Sequence, residues 1–536
     1  MSVVLSSIRL GPQHAFRAPR TRLVSVLRAP ARSLSAASAQ PASPAKDSKR
    51  SGPASEQSVT PLSEDFSRWY LDVIREAQLA DYGPVRGTMV IRPYGYALWE
   101  RLQSWLDAAL KEHGVQNAYF PQLIPMSFFE REAEHVEGFA PELAIVTRGG
   151  GKELEEPLAL RPTSETIINS MFAKWVQSHR DLPMRLNQWA NVHRWEMRTR
   201  PFVRTLEFLW QEGHTAHATP EEARAEAMAM LEVYREFAVT QAAMPVIAGR
   251  KSRIEQFAGA NATFTIEAMM RDGRALQAGT THDLGDNFSR AFGTQFSDAG
   301  GRLRHAHQAS FGMSTRMVGG VVMSHGDDTG LRLPPRMAPL QVVLVPVAAR
   351  GAAAAAVLAA VDAALVALRA TGVRAQADVG TEKSPGWKFS HWEMKGVPLR
   401  IEIGPRDVAS GTCAIARRDR PGKEGKEFGV PLAPELLVQE VLKRLDEVQA
   451  ELLERATRFR DEHILDVSSH SQFLEVIEQG KWARGWWAGS DEQEVALKEE
   501  SGATLRCFPL EQPGGGGTCF LTGKPADQVA LFAKAY

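Results

Sequence analysis

The residues best suited to chemistry lie between Arg194 and His217, where the sequence reads RWEMRTRPFVRTLEFLWQEGHTAH. Arg194 and Glu196 stand two residues apart, so on a β-strand both side chains would project from one face. A guanidinium offers two fixed donors to phosphate or carboxylate oxygens, and Glu196 could accept a hydrogen bond from the exocyclic amine of a base. The pattern predicts a strand wall that binds a nucleotide. An exposed, salt-bridged hairpin is the alternative that this segment alone leaves open.

The segment strongly resembles motif 2 of class II aminoacyl-tRNA synthetases, and in particular the prolyl-tRNA synthetases of the archaeal and eukaryotic type. The resemblance extends from about residue 62 to residue 536, and six matches in order along one chain make it specific. The other five matches are LRPTSE (160–165), GRKSRIEQFAGA (249–260), LQAGTTHDLGDNF (276–288), SFGMSTR (310–316) and HGDDTGLRLPPR (325–336).

The resemblance implies that the chain activates L-proline with ATP and Mg²⁺ and transfers the prolyl group to tRNA(Pro). Negative charge accumulates on oxygen when the amino-acid carboxylate attacks the α-phosphate, so the protein must mainly position and neutralise. Arg194 would bridge the α-phosphate and the carboxylate, and Arg316 would be the catalytic arginine of motif 3. The implied ATP contacts are Arg194, Glu196, Arg204, Thr205, Gln277, Thr280 and Arg316. For Arg198 and Arg200, surface ion pairs are the favoured interpretation.

Proline presents a carboxylate, a secondary ammonium and a compact apolar ring, so its pocket needs acceptors beside an aromatic wall. The implied proline contacts are Thr163, Glu165, Arg194, Trp210, Glu212, His214, Phe257, His282 and Ser310. Plain core packing stays open for the two aromatic residues, and structural hydrogen bonding stays open for the two histidines. Thr163 or Ser164 could also cap a helix that begins near Glu165.

The first 46 residues contain six arginines, one lysine and no acidic residue, whereas the chain as a whole has a formal net charge of zero. This composition is typical of an organellar transit peptide, and it does not separate chloroplast from mitochondrion. A basic tail that touches nucleic acid is the alternative. A polar linker over residues 47–61 follows.

Apolar periodicity predicts helices over residues 62–80 and 95–113, the second ending before Gly114. Residues 114–125 resemble motif 1, which builds the dimer interface, with Pro121 at the motif's proline. A homodimer is therefore implied, although a strand-terminating proline is the alternative.

After residue 335 the pattern changes to strand (340–347), alanine-rich helix (350–370) and strand (373–379), which predicts an α/β domain. That domain resembles the anticodon-binding domain of class IIa synthetases. A charged helix over residues 432–459 leads into the last region. The predicted fold is α+β, with an antiparallel catalytic sheet flanked by helices (62–337), an α/β anticodon-binding domain (338–445) and a small α+β C-terminal domain (446–536).

The anticodon would be read as splayed bases by side chains on a sheet, with Lys388, Glu393 and Arg400 as candidates; a solvated sheet edge is the alternative. Relatives often hold a structural zinc with four cysteines in the final domain. This chain has only Cys507 and Cys519 there, so we expect no zinc and predict that apolar packing around Trp486 and Trp487 replaces it.

Two further expectations concern features that the chain lacks, and a third concerns rival functions. The interval between motif 2 and Arg316 is too short for the editing insertion of the bacterial type. The apolar stretch 351–368 fits a helix packed on a sheet better than a membrane span. Another class IIa ligase and a non-catalytic tRNA- or DNA-binding accessory protein remain as rival functions, but a threonine enzyme would need a zinc-binding cysteine, and none precedes Cys413.

Overall fold

The computed structural model describes residues 59–135, 143–347 and 351–536, all of which belong to one compact unit. The predicted transit peptide (1–46) and residues 47–58 of the predicted linker lie outside the described residues.

The catalytic part is built on long antiparallel strands with helices against them. Its helices are α1 (Phe66–Glu76), α2 (Pro93–Glu112), α3 (Met126–His135), α4 (Glu165–Trp175), α5 (Pro220–Glu236), α6 (Asn287–Phe292) and α7 (Arg316–His325), with a 3₁₀ turn (His179–Asp181) and a π-helical turn (Phe237–Gln241). Its strands are β1 (Ala80–Tyr82), β2 (Met89–Ile91), β3 (Gln116–Asn117), β4 (Leu123–Pro125), β5 (Ile145–Gly149), β6 (Lys152–Leu160), β7 (Met184–His193), β8 (Glu207–His217), β9 (Val246–Arg250), β10 (Ala262–Met269), β11 (Ala275–Gly285), β12 (Gln295–Ser297), β13 (Leu303–His305) and β14 (His307–Ser314).

Helix α5 covers one face of the catalytic sheet. Thr219 caps its N-terminus by accepting from the Glu222 N–H, and Pro220 occupies the first turn, where no backbone donor is needed. Buried Ala223, Ala227 and Met230 recur at helical spacing and form the apolar stripe that faces the strands. The opposite face of the sheet is left for the cavity described below.

The remaining elements form the anticodon-binding region and the C-terminal region. The former contains β15 (Val342–Pro346), α8 (Ala352–Ala370), β16 (Ala375–Ala377), α9 (Pro385–Met394), β17 (Leu399–Ile403), α10 (Pro405–Ser410), β18 (Thr412–Arg417), β19 (Lys426–Pro431) and α11 (Pro434–Glu462). The latter contains β20 (Ile464–Asp466), α12 (His470–Glu478), β21 (Trp482–Trp486), α13 (Asp491–Ser501), β22 (Thr504–Pro509), β23 (Gly517–Thr518), β24 (Pro525–Ala526) and β25 (Val529–Ala533).

The anticodon-binding region has a five-stranded sheet in the order β16-β15-β17-β18-β19, parallel among the first three strands and antiparallel afterwards. Helix α8 is the one helix of the described chain that is long and apolar enough to cross a membrane. Its Val357, Val361, Ala364 and Leu368 are buried in the core of this region, as expected for a helix packed on a sheet. The predicted domain boundary after residue 445 falls inside α11.

The C-terminal strands extend the catalytic sheet instead of forming a sheet of their own. Residues Phe508 and Pro509 of β22 pair with Arg250 and Gly249 of β9. The combined sheet has eleven strands in the order β20-β21-β25-β22-β9-β10-β11-β14-β8-β7-β3. Elements predicted as a separate domain therefore share backbone hydrogen bonds with the strands that carry the site.

The last residue packs on the catalytic part, as the resemblance implied. Tyr536 donates its hydroxyl hydrogen to Asp272 Oδ2 at 2.6 Å. The guanidinium of Arg200 lies 5.1 Å from the centre of the Tyr536 ring. Arg200 also donates to Ser67 Oγ, so it anchors the loop after β7 to the chain terminus and is not the surface ion pair that we favoured.

Candidate active site

A cavity of about 240 Å³ opens on the face of the catalytic sheet opposite to α5. Strands β8, β10, β11 and β14 form its floor, and the first residues of α4 and α7 close its ends. Its lining residues are Thr163, Glu165, Arg194, Phe208, Trp210, Glu212, His214, Glu255, Gln256, Phe257, Thr263, Gln277, Ala278, Gly279, Thr280, His282, Ser310, Phe311, Gly312, Met313, Ser314 and Arg316.

Strand periodicity places most of these side chains on the cavity face of the sheet. On β8 every second residue from Phe208 to His214 lines the cavity, because alternate strand residues share a face. On β11 a register shift opposite Ile266 and Glu267 places Gln277 and Thr280 on the same side, although they are three residues apart. The bulge thus adds a second polar contact that regular alternation would have turned away.

Arg194 and Arg316 come from distant parts of the chain and line the same cavity. The Arg194 Nε donates to the carbonyl oxygen of Pro162 at 3.1 Å, and its guanidinium lies 5.3 Å from the Trp210 ring centre. The Arg316 Nε donates to the Val203 carbonyl oxygen at 3.0 Å. The Arg316 Nη1 also donates to the Gln277 carbonyl oxygen at 3.4 Å, and each guanidinium keeps further terminal N–H groups that can donate to a ligand.

The predicted strand position of Arg194 and Glu196 is wrong. Pairing between β7 and β8 ends at His193 opposite Glu207, and residues 194–206 form a loop. Arg194 keeps its place because its backbone N–H donates to the Leu206 carbonyl oxygen. Glu196 is not among the lining residues, and its carboxylate instead faces Arg204 at 3.6 Å.

Acidic and basic side chains lie at opposite ends of the cavity. Desolvation lowers the pKa of Arg194, although its side chain stays accessible to solvent, and Glu165 and Glu212 oppose that shift. At the other end, burial and repulsion from Arg204 and Arg194 lower the pKa of Arg316 to about 10. One end therefore holds carboxylates, and the other has an excess of positive charge that a bound anion would neutralise.

The acidic end is organised around two buried carboxylates. Thr163 Oγ1 donates to Glu165 Oε2 at 2.5 Å. Glu212 accepts from the backbone N–H of Ser164 at 3.1 Å, from Ser164 Oγ at 2.6 Å and from Gln188 Nε2 at 2.5 Å. With these bonds in place Glu212 supports the pocket, and Glu165 retains capacity to accept from a ligand.

Helix α4 begins at Glu165 as predicted, with Ser164 in the N-cap position. No side-chain capping bond forms there, because the Ser164 hydroxyl donates to Glu212 and accepts from Gln188 Nε2 at 2.8 Å. The capping interpretation is therefore wrong in its hydrogen bond, although it is right about where the helix begins.

The two cavity histidines are held in different states. Burial disfavours the charged form of His214, but its hydrogen bond to Glu212 (3.1 Å) and the nearby Glu165 outweigh burial and raise its pKa. Burial together with His214 and Arg194 lowers the pKa of His282 to about 3. His282 is thus neutral at physiological pH, and its Nδ1 lies 2.9 Å from Thr263 Oγ1.

The remaining wall of the pocket contains aromatic side chains and two polar groups that have no hydrogen-bond partner. Phe257 packs on His282 with ring centres 4.6 Å apart. Trp210 Nε1 and Ser310 Oγ are buried without a hydrogen-bond partner. Buried polar atoms are normally paired, so these two donors at the cavity surface are available to a ligand.

The nine residues predicted to contact proline all line this cavity. Of the predicted ATP contacts, Arg194, Gln277, Thr280 and Arg316 line it as well. Glu196, Arg204 and Thr205 do not; the Thr205 hydroxyl donates to the Glu207 carbonyl oxygen at 2.7 Å. Phe208 and Thr263 were missed, although the alternation of β8 and β10 could have indicated both.

Of the three anticodon candidates, only Arg400 lies on a sheet. Lys388 and Glu393 are on α9, where the Lys388 ammonium is buried and donates to the carbonyl oxygens of Asp378 and Gly380 at 2.6 Å. Arg400 pairs with Glu393 and Glu402. The sheet placement is therefore wrong for two of them, and β17 is an inner strand, not an edge.

The cysteines of the C-terminal region lie in two different apolar clusters, Cys507 beside Trp482 and Cys519 beside Trp487. Trp487 packs against Phe520 and Phe532 with ring centres 5.6 and 5.2 Å away, as predicted for that tryptophan. Within residues 59–135, 143–347 and 351–536, no group of three or more His, Cys, Asp or Glu side chains is placed to hold a metal ion.

Comparisons with known proteins match all three regions. Family models match as the tRNA synthetase class II core domain (G, H, P, S and T) over residues 146–325, the anticodon binding domain over residues 341–458, and the prolyl-tRNA synthetase C-terminal domain over residues 470–536.

Individual relatives extend these matches to nearly the whole chain. A chloroplastic/mitochondrial proline–tRNA ligase of Arabidopsis thaliana is 61% identical over 482 residues, which cover 90% of this chain and 89% of that protein. A proline–tRNA ligase of Chlorobium luteolum is 52% identical and covers 89% of this chain and 99% of its own. A crystal structure of prolyl-tRNA synthetase from Cryptosporidium parvum, complexed with halofuginone and AMPPNP, superposes with a TM-score of 0.85 at 38% identity, over 90% of this chain and 98% of that one.

Proposed function

Because this chain belongs to the prolyl-tRNA synthetase family, we propose that it activates L-proline with ATP and Mg²⁺ and transfers the prolyl group to tRNA(Pro) in an organelle. The family makes it an aminoacyl-tRNA ligase of class II. The observation that carries the proposal is the separation of charge in the cavity, with carboxylates at one end and guanidinium groups at the other.

Proline fits the acidic end of the cavity. Its secondary ammonium donates to Glu165 and Thr163, and its ring lies against Trp210 and Phe257, which line the same space. The substrate carboxylate then points to Arg194, which stands between the two ends. Glu212 acts indirectly, by holding Ser164 and His214 in place.

ATP fits the basic end. Arg194 holds the α-phosphate next to the proline carboxylate, and Arg316, with Arg204 close to it, neutralises the outer phosphates. Gln277 and Thr280 contact the nucleotide from β11. Mg²⁺ enters with ATP as part of the substrate. Positioning and charge neutralisation then supply most of the rate enhancement for adenylate formation.

The rival functions account less well for this cavity. A threonine enzyme of the same class would place a zinc-binding cysteine in the pocket, and none of its lining residues is a cysteine. A non-catalytic accessory protein would have no use for two guanidinium groups converging beside a pocket for an amino acid.

The anticodon-binding region presents tRNA(Pro) to the enzyme through single-stranded bases. Lys388 is bound to backbone carbonyl groups and Arg400 to Glu393 and Glu402, so Glu393, whose side chain is 42% exposed, is the best placed of the original three. We infer further that this chain carries no editing domain in cis, so that tRNA mischarged with a smaller amino acid is cleared by another protein.

A homodimer is the proposed assembly. Tyr119 and Leu123, in the segment that resembles motif 1, are 73% and 44% exposed, and Trp175 nearby is 46% exposed. Apolar side chains exposed together mark interaction surfaces, and symmetric dimers are the commonest oligomers.

We assign the enzyme to chloroplast, mitochondrion or both, on the composition of residues 1–46 and the likeness to an organellar relative. A fluorescent protein fused behind residues 1–61 is expected to enter one of these organelles. Uniform cytosolic fluorescence would contradict the assignment.

The direct test of the proposed function is tRNA charging by the purified protein. Radiolabelled proline should be attached to a tRNA transcript with a proline anticodon, only when ATP and Mg²⁺ are both present. Charging by another amino acid in preference to proline would overturn the proposal.

A further inference from the structure

One wall of the cavity belongs to a loop between β9 and β10, here called the pocket loop (residues 251–261). Glu255, Gln256 and Phe257 of this loop line the cavity. The loop has no regular secondary structure, so contacts outside its own backbone must fix its conformation.

One part of the pocket loop is fixed within the catalytic part. The backbone N–H of Phe257 donates to Thr263 Oγ1 at 2.9 Å, and the same oxygen lies beside His282. These contacts fix Phe257 over the cavity floor. At the start of the loop, Lys251 donates its backbone N–H to the Thr263 carbonyl oxygen and its Nζ hydrogen to Glu267.

Between these two points, the residues Ser252, Arg253 and Glu255 contact helix α13 of the C-terminal region. Ser252 Oγ donates to Glu494 Oε1 at 2.7 Å, and both residues are buried. Two ion pairs flank this bond, Arg253 with Asp491 and Glu255 with Lys498 at 3.5 Å. Arg253 is 80% exposed, so its pair contributes little, and the buried Ser252–Glu494 bond is the main attachment.

Helix α13 is itself well placed to hold the loop. Its N-terminus is closed by a capping box between Ser490 and Gln493, and it packs on β22, which is paired with β9. Because β9 leads directly into the pocket loop, α13 and the loop are attached to the same sheet. A shift of α13 would therefore be transmitted to the loop through Ser252.

We propose that Glu494 is a positioning residue for substrate binding: by holding Ser252, it fixes the pocket loop and so sets the affinity of the cavity for the amino acid. The inference deepens the proposed function, since it concerns the proline end of the same cavity. It assigns the C-terminal region a part in recognition of the small substrate.

The surroundings of Glu494 shift its pKa. Burial, together with Glu255 and Asp491, raises that pKa to about 7, against the opposing effects of Ser252 and Lys498. A carboxyl whose pKa is raised in the folded protein is favoured in its protonated form. The hydrogen bond from Ser252 opposes this shift, because an ionised carboxylate is the stronger acceptor, so the attachment persists when Glu494 loses its proton.

The test is the KM for proline in ATP–pyrophosphate exchange by the full chain. E494A and S252A should each raise that KM about three- to tenfold, as expected for one lost buried hydrogen bond, with kcat and the KM for ATP within about twofold of wild type. The double variant should match either single variant because both remove the same contact. E499A, on an exposed residue of the same helix, is the matched control and should leave all three constants unchanged.

E494Q separates positioning from general stability. It keeps an acceptor for Ser252 but cannot ionise, so its KM for proline should stay near the wild-type value at pH 6.5. A KM for E494A equal to that of E499A, or additive effects of E494A and S252A, would overturn the proposal. If wild type catalyses no exchange with proline at all, the proposed function fails instead.

Discussion

Arg194 stands where the two signs of charge in the cavity meet, with Glu165 and Glu212 on one side and Arg316 on the other. Its position does not depend on a regular strand. One backbone hydrogen bond to Leu206 and one side-chain bond to Pro162 hold it at the first residue of the loop. The guanidinium can therefore meet an oxygen from each substrate without a change in the sheet.

Replacing Arg194 by alanine should lower kcat for adenylate formation by at least about 10² to 10³-fold, the usual effect of removing a donor to developing negative charge. Pyrophosphate exchange measures the loss, and the melting temperature should change little. Arg198, an exposed arginine of the same loop, provides the control R198A, which should keep wild-type exchange. Equal activity of the two variants would show that the catalytic arginine has been misassigned.

Ser164 allows the two interpretations of the helix start to be separated. If its hydroxyl served as a helix cap, glycine would replace it at a cost of only a few tenths of a kcal/mol. Because it donates to buried Glu212, S164G and S164A should both lower the free energy of unfolding by about 1–3 kcal/mol. Chemical denaturation measures both, and a nearly neutral S164G would restore the capping interpretation.

At the scale of elements, the position of α2 was predictable and the end of β7 was not. Residues 95–113 form α2 almost as predicted, and Gly114 adopts φ 78° after its end. Helix termini carry local signals of this kind. The end of β7 depends on where β8 stops pairing, which involves residues that are remote in sequence.

The same distinction, between local signals and pairing with remote residues, explains which site residues were placed correctly from the sequence. Trp210, Glu212 and His214 follow simple alternation on β8 and line the cavity as the motif implied. The joint placement of Gln277 and Thr280 needs a bulge that strand periodicity alone does not indicate. For α9, the Ser384-Pro385 pair is a helix-start signal that could have corrected the sheet prediction for Lys388.

The junction between β9, β10 and β22 contains a buried ion triad. Glu267 accepts from Lys251 Nζ at 2.8 Å and from Arg506 Nη2 at 2.9 Å, and all three residues are at least nine-tenths buried. Two buried cations sharing one carboxylate cannot lose it without becoming unpaired. This triad therefore joins the C-terminal strands to the catalytic sheet only while all its members are present.

E267A should lower the free energy of unfolding by about 3–5 kcal/mol, the usual cost of leaving buried charge unpaired. The exposed pair Arg484–Asp466 of the C-terminal region provides the control, and D466A should cost about 0–1 kcal/mol. Denaturant unfolding compares the two variants. A loss for E267A no larger than that for D466A would contradict the structural role of the triad.

At the scale of the whole molecule, the backbone hydrogen bonds of the eleven-stranded sheet join the catalytic and C-terminal regions into one body. The sequence correctly indicated the class of fold and the three regions, because each has its own periodicity and motifs. It could not indicate that β22 continues the catalytic sheet, since strand pairing between remote segments leaves no local pattern. Tyr536 against Asp272 and Arg200 ties the chain end to the same body.

The exposed apolar residues near the motif 1 segment predict how the molecule assembles. The wild-type protein should sediment as a dimer of 59.0 kDa chains, and the double variant Tyr119→Glu, Leu123→Glu should sediment as a monomer because it places charge in the interface. Tyr82→Glu, at a residue that is 67% exposed elsewhere, is the control and should stay dimeric. A monomeric wild-type protein would contradict the proposed assembly.

The most direct test of the account is ATP–pyrophosphate exchange by the wild-type chain, measured with each of the twenty amino acids in turn. A cavity with guanidinium groups at one end and carboxylates beside an aromatic wall at the other predicts the highest kcat/KM for proline. Exchange that is faster with any other amino acid, or no exchange with proline, would contradict the assignment of this cavity.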